Sequence, residues 1–206
     1  MDRTQKIITT VLWSVLVVSM LGVIGSGLLA RFRQEPLPVY YDAPAFSLTD
    51  QDGKPFTRDD LKGRVWVADF IFTTCPGACP KMTMKMSGLQ KAVPARDVHF
   101  VSFTVDPERD TPEVLKRYGQ GYDADPNRWH FLTGEKAKLF ETAAGLKLTA
   151  APAGQFGPEI VHAEKFLLVD ASGRVRGIYN SGDDQELKKL AADAALLADR
   201  QAGRLF

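Results

Sequence analysis

Hydrophobic and polar positions divide the 206-residue chain into three stretches. From Ile7 to Ala30 no residue is charged. As a helix that run would span roughly 36 Å, enough to cross a ~30 Å hydrocarbon core with some tilt. From Arg31 to Pro44 the chain carries Pro36, Pro38 and Pro44 among few aliphatic residues, and it reads as an extended tether. From residue 45 onward, short apolar runs alternate with amphipathic ones. Phe46–Asp50 alternates apolar and polar, and Gln51-Asp52-Gly53-Lys54 is a turn, so a small hairpin is expected, followed by a helical turn at Thr57–Leu61. Val65–Phe72 and Val98–Val105 are almost continuously apolar, as in strands buried on both faces. Helices are expected over Cys79–Val93, after Thr111-Pro112, over Glu135–Leu146 and from the Ser181–Asp184 cap to about Gln201. Short strands are expected at Trp129–Leu132, Lys165–Val169 and Val175–Tyr179, the last two turned at Asp170–Gly173. The alternation predicts an α/β fold with a mixed sheet flanked by helices. The organisation is thus an N-terminal transmembrane anchor at 1–30 with a short cytoplasmic tail, a tether at 31–44 and one domain at 45–206.

Charge narrows the function little. The chain has 26 basic and 25 acidic residues. Without residues 1–30 it keeps 24 of each, because Arg3, Lys6 and Asp2 are removed. Nothing recommends a nucleic-acid partner or an electrostatic route to a membrane surface. Arg3 and Lys6 balance Arg31 and Arg33 across the apolar run, so flanking charge does not orient it. The rival reading is a cleaved signal peptide, whose apolar region usually runs only ~7–15 residues. A cut after Ala30 would also place bulky Leu28 three residues before it.

The candidate chemistry lies in Phe72-Thr-Thr-Cys75-Pro-Gly-Ala-Cys79-Pro-Lys81, between a predicted strand and a predicted helix. Backbone amides and the helix dipole lower a thiol's pKa at such a turn. If the first turn is helical, the i, i+4 spacing puts both sulfurs on one face, able to clamp a soft metal ion or to close a disulfide. Inert core cysteines or a permanent staple are the bland alternatives. These are the only two cysteines, however, and so short a loop would gain little from a staple. The spacing is neither the Cys-x-x-Cys of thioredoxin-type exchange nor a c-type haem site. Two thiolates with a third ligand suit Cu(I); zinc would want a fourth ligand.

Three histidines compete for the third position. His99 lies inside an apolar strand, and His130 should point to the face opposite Phe131; both read as ordinary core or edge histidines. His162 sits in Gly157-Pro-Glu-Ile-Val-His162, just before the strand at Lys165. In a thioredoxin-like topology that loop passes beside the cysteine turn, which makes His162 the natural third ligand. Asp106-Pro-Glu-Arg-Asp110 reads as structural, with Asp110 or Thr111 capping the helix that begins at Pro112. Met82, Met84 and Met86 read as core packing, since only Met82 and Met86 share a helix face.

Phe70-Ile-Phe-Thr-Thr-Cys75-Pro-Gly-Ala-Cys79-Pro resembles the signature of the Sco (SenC) family of membrane-anchored, thioredoxin-like copper proteins. Val101–Glu113, Trp129–Gly134 and His162–Asp170 are similar to further motifs of that family, in the same order. The resemblance implies a thioredoxin-like fold and copper, Cu(I) or Cu(II), bound by Cys75, Cys79 and His162. It implies a metallochaperone that builds the copper A site of cytochrome c oxidase, as copper donor, as thiol reductant, or both. The implied partners are subunit II of the oxidase or another copper enzyme, and other copper chaperones or thiol reductants. The implied location is the bacterial cytoplasmic membrane, with the domain on the periplasmic side. Gly77, where the family often has an acid, and Ala163, where Ser is common, depart from the pattern. The alternative is a metal-independent, membrane-tethered thiol–disulfide oxidoreductase using Cys75 and Cys79 as its redox pair. A peroxidase is disfavoured, because Ala68 and Phe72 stand where peroxiredoxins carry Pro and Thr.

Overall fold

The computed structural model describes residues 2, 3, 5, 12–22, 37–93, 98–147 and 164–203. The chain divides into two units, Met1–Pro36 and Leu37–Phe206. Residues 12–22 of the first are helical. Among the described residues no helix is long and apolar enough to cross a membrane. Most of the apolar run 7–30 expected to span one lies outside them.

The second unit is built on a mixed six-stranded sheet. Its strands are β1 (Tyr41–Asp42), β4 (Val65–Ile71), β5 (Val98–Thr104), β6 (Trp129–Leu132), β7 (Lys165–Val169) and β8 (Arg174–Asn180). They run in the order β1-β8-β7-β4-β5-β6. The centre, β4-β5-β6, is parallel, and β7, β8 and β1 continue it antiparallel. Every residue of β4 and β5 is buried, as their unbroken apolar runs require. A separate hairpin, β2 (Ser47–Thr49) and β3 (Pro55–Thr57), turns through Gly53, whose φ of 75° suits the residue.

Among the described residues the unit also has a short 3-10 helix at Arg58–Leu61 and four α-helices: α1 (Ala78–Ala92), α2 (Pro112–Gly121), α3 (Lys136–Gly145) and α4 (Asp184–Gln201). Thr111 caps α2, accepting from the Val114 N–H, with Pro112 at the first helical position. Asp183 caps α4 by accepting from Gln185 and Glu186. Gly119 lets α2 settle on β6, since a Cβ there would lie 2.6 Å from the Phe131 ring.

Strand alternation sends side chains into two cores. Val65, Val67, Ile71, Val98, Phe100, Trp129 and Phe131 pack with residues of α1, α2 and α4. Trp66, Ala68, Phe70, Val101, Phe103 and Leu132 face the hairpin and α3. Each large side chain fully buried this way contributes about 1.5–3 kcal/mol.

The segment expected to be a tether up to Pro44 is bound to the domain from Leu37 onward. Tyr41 and Asp42 pair with Val175 and Arg174. Ala43 is buried, and Tyr41 donates its hydroxyl to the Leu146 carbonyl at 2.7 Å. Buried Arg176 donates to the carbonyls of Leu37 and Pro38 and pairs with Asp170 at 2.7 Å. Pro38 and Pro44 flank this short edge strand rather than interrupting it.

Candidate metal centre

β4 ends at Ile71 and α1 begins at Ala78, so Cys75 lies in the connecting turn and Cys79 in the first turn of α1. The two are therefore not on one helical face, as the i, i+4 spacing suggested. The turn instead folds back, and the Cys79 N–H points at the Cys75 sulfur, 3.5 Å away. Both cysteines are free and buried at one end of the same core.

The environment separates the two thiols. Burial works against ionising Cys75, but N–H groups of Cys79, Gly77 and Ala78 and the Cys79 thiol all turn toward its sulfur, and the net effect lowers its pKa. Cys79 is pushed up to about 12, first by burial, then by donating to Cys75 and by the negative charges of Cys75 and Asp69; the Phe72 N–H opposes this in part. The arrangement makes Cys75 the more acidic thiol and holds Cys79 protonated. Metal binding would have to displace the Cys79 proton.

Two aspartates that sequence reasoning did not assign to the site shape it. Asp110 is fully buried. It accepts from the Thr73 N–H at 3.1 Å, the Thr73 hydroxyl at 2.5 Å and the Thr104 hydroxyl at 2.5 Å. It thereby ties the residue two before Cys75 to the end of β5. Capping α2 falls to Thr111, so of the two candidate caps Asp110 does a different task. Asp69, the single acid in the apolar run of β4, lies on the cysteine side of the sheet, since it alternates with Val67 and Ile71. It is fully buried, and among the described residues neither of its oxygens has a hydrogen-bond partner. Burial pushes its pKa to about 7, with Ser102, its ladder partner, offsetting this in part. An acid among the seven apolar residues of Val65–Phe72 was a visible signal; its side of the sheet was not.

The first turn of α1 has a further support. The Thr83 hydroxyl donates to the Cys79 carbonyl at 2.9 Å and also meets the Tyr118 hydroxyl of α2 at 2.8 Å. Met82 and Met86 are buried and Met84 is exposed, which matches core packing.

His162 lies outside the described residues. Among the described residues no group of three or more His, Cys, Asp or Glu side chains is arranged to hold a metal ion. His99 and His130 lie on the other side of the sheet, alternating with Val98, Phe100, Trp129 and Phe131 of the cysteine-side core. Neither can join the two sulfurs.

A model of the SCO1/SenC family matches residues 38–196. The chain is 37% identical over 161 residues to a SCO1 protein homolog of Bacillus subtilis, covering 76% of this chain and 82% of that one. Among solved structures, BsSco, from work identifying a disulfide switch, is 36% identical with a TM-score of 0.69, covering 81% of this chain and 98% of that one. Copper-bound ScoI of Bradyrhizobium japonicum is 29% identical with a TM-score of 0.63, covering 76% of this chain and 99% of that one.

Proposed function

This chain belongs to the SCO1/SenC family, and from that premise we propose that it is a copper-binding assembly factor for cytochrome c oxidase, holding copper between Cys75, Cys79 and His162. BsSco is described as a member of the Sco family of cytochrome c oxidase assembly proteins, and Bradyrhizobium japonicum ScoI has been solved with copper bound. The observation that carries the reading is the pair of free sulfurs brought together where β4 turns into α1, one of them favouring the thiolate. Soft thiolates select a soft ion, and a ligand set of three is small enough to release it to a partner. The recipient is the copper A site on subunit II of the oxidase, which the protein loads with copper or whose cysteines it keeps reduced. The apolar run 7–30 anchors the chain in the cytoplasmic membrane, with the domain on the periplasmic side.

Copper titration of purified chain, reduced and oxidised, tests this. Reduced protein takes up one Cu(I) at the two cysteines, and protein with a Cys75–Cys79 disulfide does not, because a disulfide sulfur is no longer a thiolate. Cu(II)-loaded protein shows a thiolate-to-copper charge-transfer band. His162→Ala weakens binding markedly, while His99→Ala and His130→Ala leave the band unchanged. Equal retention by the His162 variant would remove that residue from the site. Protease added to cells with opened outer membranes digests the domain; protection there would reverse the orientation.

The unequal acidity of the two thiols also favours a second reading. An ionisable Cys75 beside a protonated Cys79 is the asymmetry expected of an attacking and a resolving thiol in dithiol exchange. The reduction of a model disulfide by metal-free protein, undiminished in the His162→Ala variant, would select this reading over copper delivery.

A further inference from the structure

On the side of the sheet away from the cysteines, three rings stand in a row. Phe56 of β3 lies 4.5 Å from His130 of β6, centroid to centroid. His130 is 5.9 Å from His99 of β5, with the imidazole planes parallel to within 3°. Three of the four imidazole nitrogens, Nδ1 of His99 and both of His130, are buried without a hydrogen-bond partner among the described residues. The fourth, Nε2 of His99, faces Arg64 Nη1 at 3.4 Å. An arginine only donates, so Nε2 is the acceptor and His99 is held neutral.

This packing disfavours a second proton on either ring. A proton added to either ring creates a buried N–H with nothing to receive it, and protonating both sets two positive charges 5.9 Å apart. Arg64 and Arg128 add positive charge around His99, and Asp125 opposes them. Burial first, then these charges, depress His99 to about 4. Around His130 stand Asp50, Asp52 and Asp60, with Arg64 against them, and burial again wins and lowers its pKa. The three acids are already engaged: Asp50 with the N–H groups of Asp52 and Lys54, Asp52 with Lys116, and Asp60 with Thr57.

We propose that the Phe56–His130–His99 stack is an acid-sensitive latch whose protonation releases the β2–β3 hairpin from the main sheet while the cysteine side stays folded. The hairpin is the element able to move, because it forms a sheet of its own. Besides the ring stack it is held by the Thr49–Thr133 bridge, by Phe46 edge-on to Trp66 and Phe103, and by Gln51. Gln51 gives the latch a consequence. Its amide accepts from the Phe131 N–H at 2.8 Å and donates to the Trp129 carbonyl at 3.4 Å, covering the outer edge of β6. With the hairpin released, those backbone groups become an open strand edge, the kind of surface to which another strand adds.

Native-state hydrogen exchange on the full chain, corrected for the intrinsic pH dependence, tests the latch. Between pH 7 and pH 4.5 the amides of Thr49, Thr133 and Phe131, whose hydrogen bonds join the hairpin and its turn to β6 and the residue after it, should lose at least about tenfold in protection, while those of β4 and of α1 around Cys79 change little. The His99→Leu/His130→Phe variant, which keeps an aromatic ring against Phe56, should show no such loss. Hairpin protection that follows β4 throughout, or that falls equally in the variant, overturns the proposal. Should the variant fold poorly, imidazole NMR titration of the unaltered protein decides. The rings must gain their protons over the same pH range in which the hairpin opens, and a ring that titrates with the hairpin still protected overturns it.

Discussion

One sheet carries buried ionisable groups on both sides, and the two sides treat pH oppositely. Beneath α1 the group is an acid, Asp69, pushed to about 7; beneath the hairpin it is a base, His99, pushed to about 4. The cause is the same, since an apolar surrounding without partners disfavours whichever form is charged. The effect on stability differs in sign. Folded Asp69 keeps its proton up to about pH 7, while an unfolded carboxyl loses it near 3.9. Its contribution is therefore full below about pH 4 and fades as pH rises to 7. Folded His99 refuses a proton that the unfolded chain accepts near 6.5. Its contribution is full above that pH and fades as pH falls toward 4. The two slopes oppose each other over one window, so the intact domain should show a shallower pH profile than either group alone would give.

The sharpest separation of the two sides is chemical. Cys75→Ser or Cys79→Ser should lower copper affinity at the cysteine turn by more than about 100-fold, because loss of even an outer-shell partner costs a metal site 10–100-fold. Substitutions at His99 and His130 should leave that affinity within about twofold, because the imidazoles lie on the opposite side of the sheet from the sulfurs. Competition with a Cu(I) chelator reads both. A tenfold loss in the His130 variant would mean that the two sides are coupled.

Next in size is Asp69→Asn. Removing a carboxyl that burial pushes to about 7 should stabilise the reduced, metal-free domain at pH 7.5 by as much as ~4 kcal/mol. At pH 4 it should change little. Urea unfolding at the two pH values checks this, and equal effects at both would place a charge-satisfying partner beside Asp69. His99→Leu should do the reverse, removing up to about 3 kcal/mol of the acid-side loss between pH 6.5 and 4 and leaving stability at pH 7.5 little changed.

The difference between the sides also marks how far the sequence could be read. Strands β4 and β5 announce themselves because burial on both faces makes their apolar runs continuous. The hairpin announces itself by alternation and Gly53, and α2 by Thr111-Pro112. Strand β1 was hidden in a proline-containing stretch, since its two residues owe their place to pairing with β8 and to Arg176, partners more than 130 positions away. The cysteine turn was legible by residue type, but its geometry was not: folding back before α1, rather than helical spacing, brings Cys79 to Cys75. Asp110 sits beside a capping residue and looked like one, because its acceptance from Thr73 and Thr104 depends on how β4 and β5 end. His99 and His130 carried no signal as a pair; parallel strand register makes them neighbours, and periodicity alone does not give register.

The smallest effect tests the division within the cysteine side itself. In reduced, metal-free protein at pH 7.5, Cys75 should react with iodoacetamide about ten times faster than Cys79. The thiolate is the nucleophile, and the amides of Cys79, Gly77 and Ala78 favour it at Cys75, whereas burial and the neighbouring negative charges hold Cys79 as a thiol. Exposure favours the same order, 8% against 2%, but differs too little to produce the ratio alone. Asp69→Asn separates the causes. It removes one negative charge that opposes ionisation of Cys79 and leaves the amides around Cys75 in place, so the ratio should narrow through faster labelling of Cys79. Mass spectrometry of timed digests gives each rate independently. Equal rates in the unaltered protein would mean that the backbone donors do not reach Cys75 in solution. A ratio unmoved by Asp69→Asn would mean that burial alone keeps Cys79 protonated, and the acid beneath the sheet would then act on stability but not on the thiols.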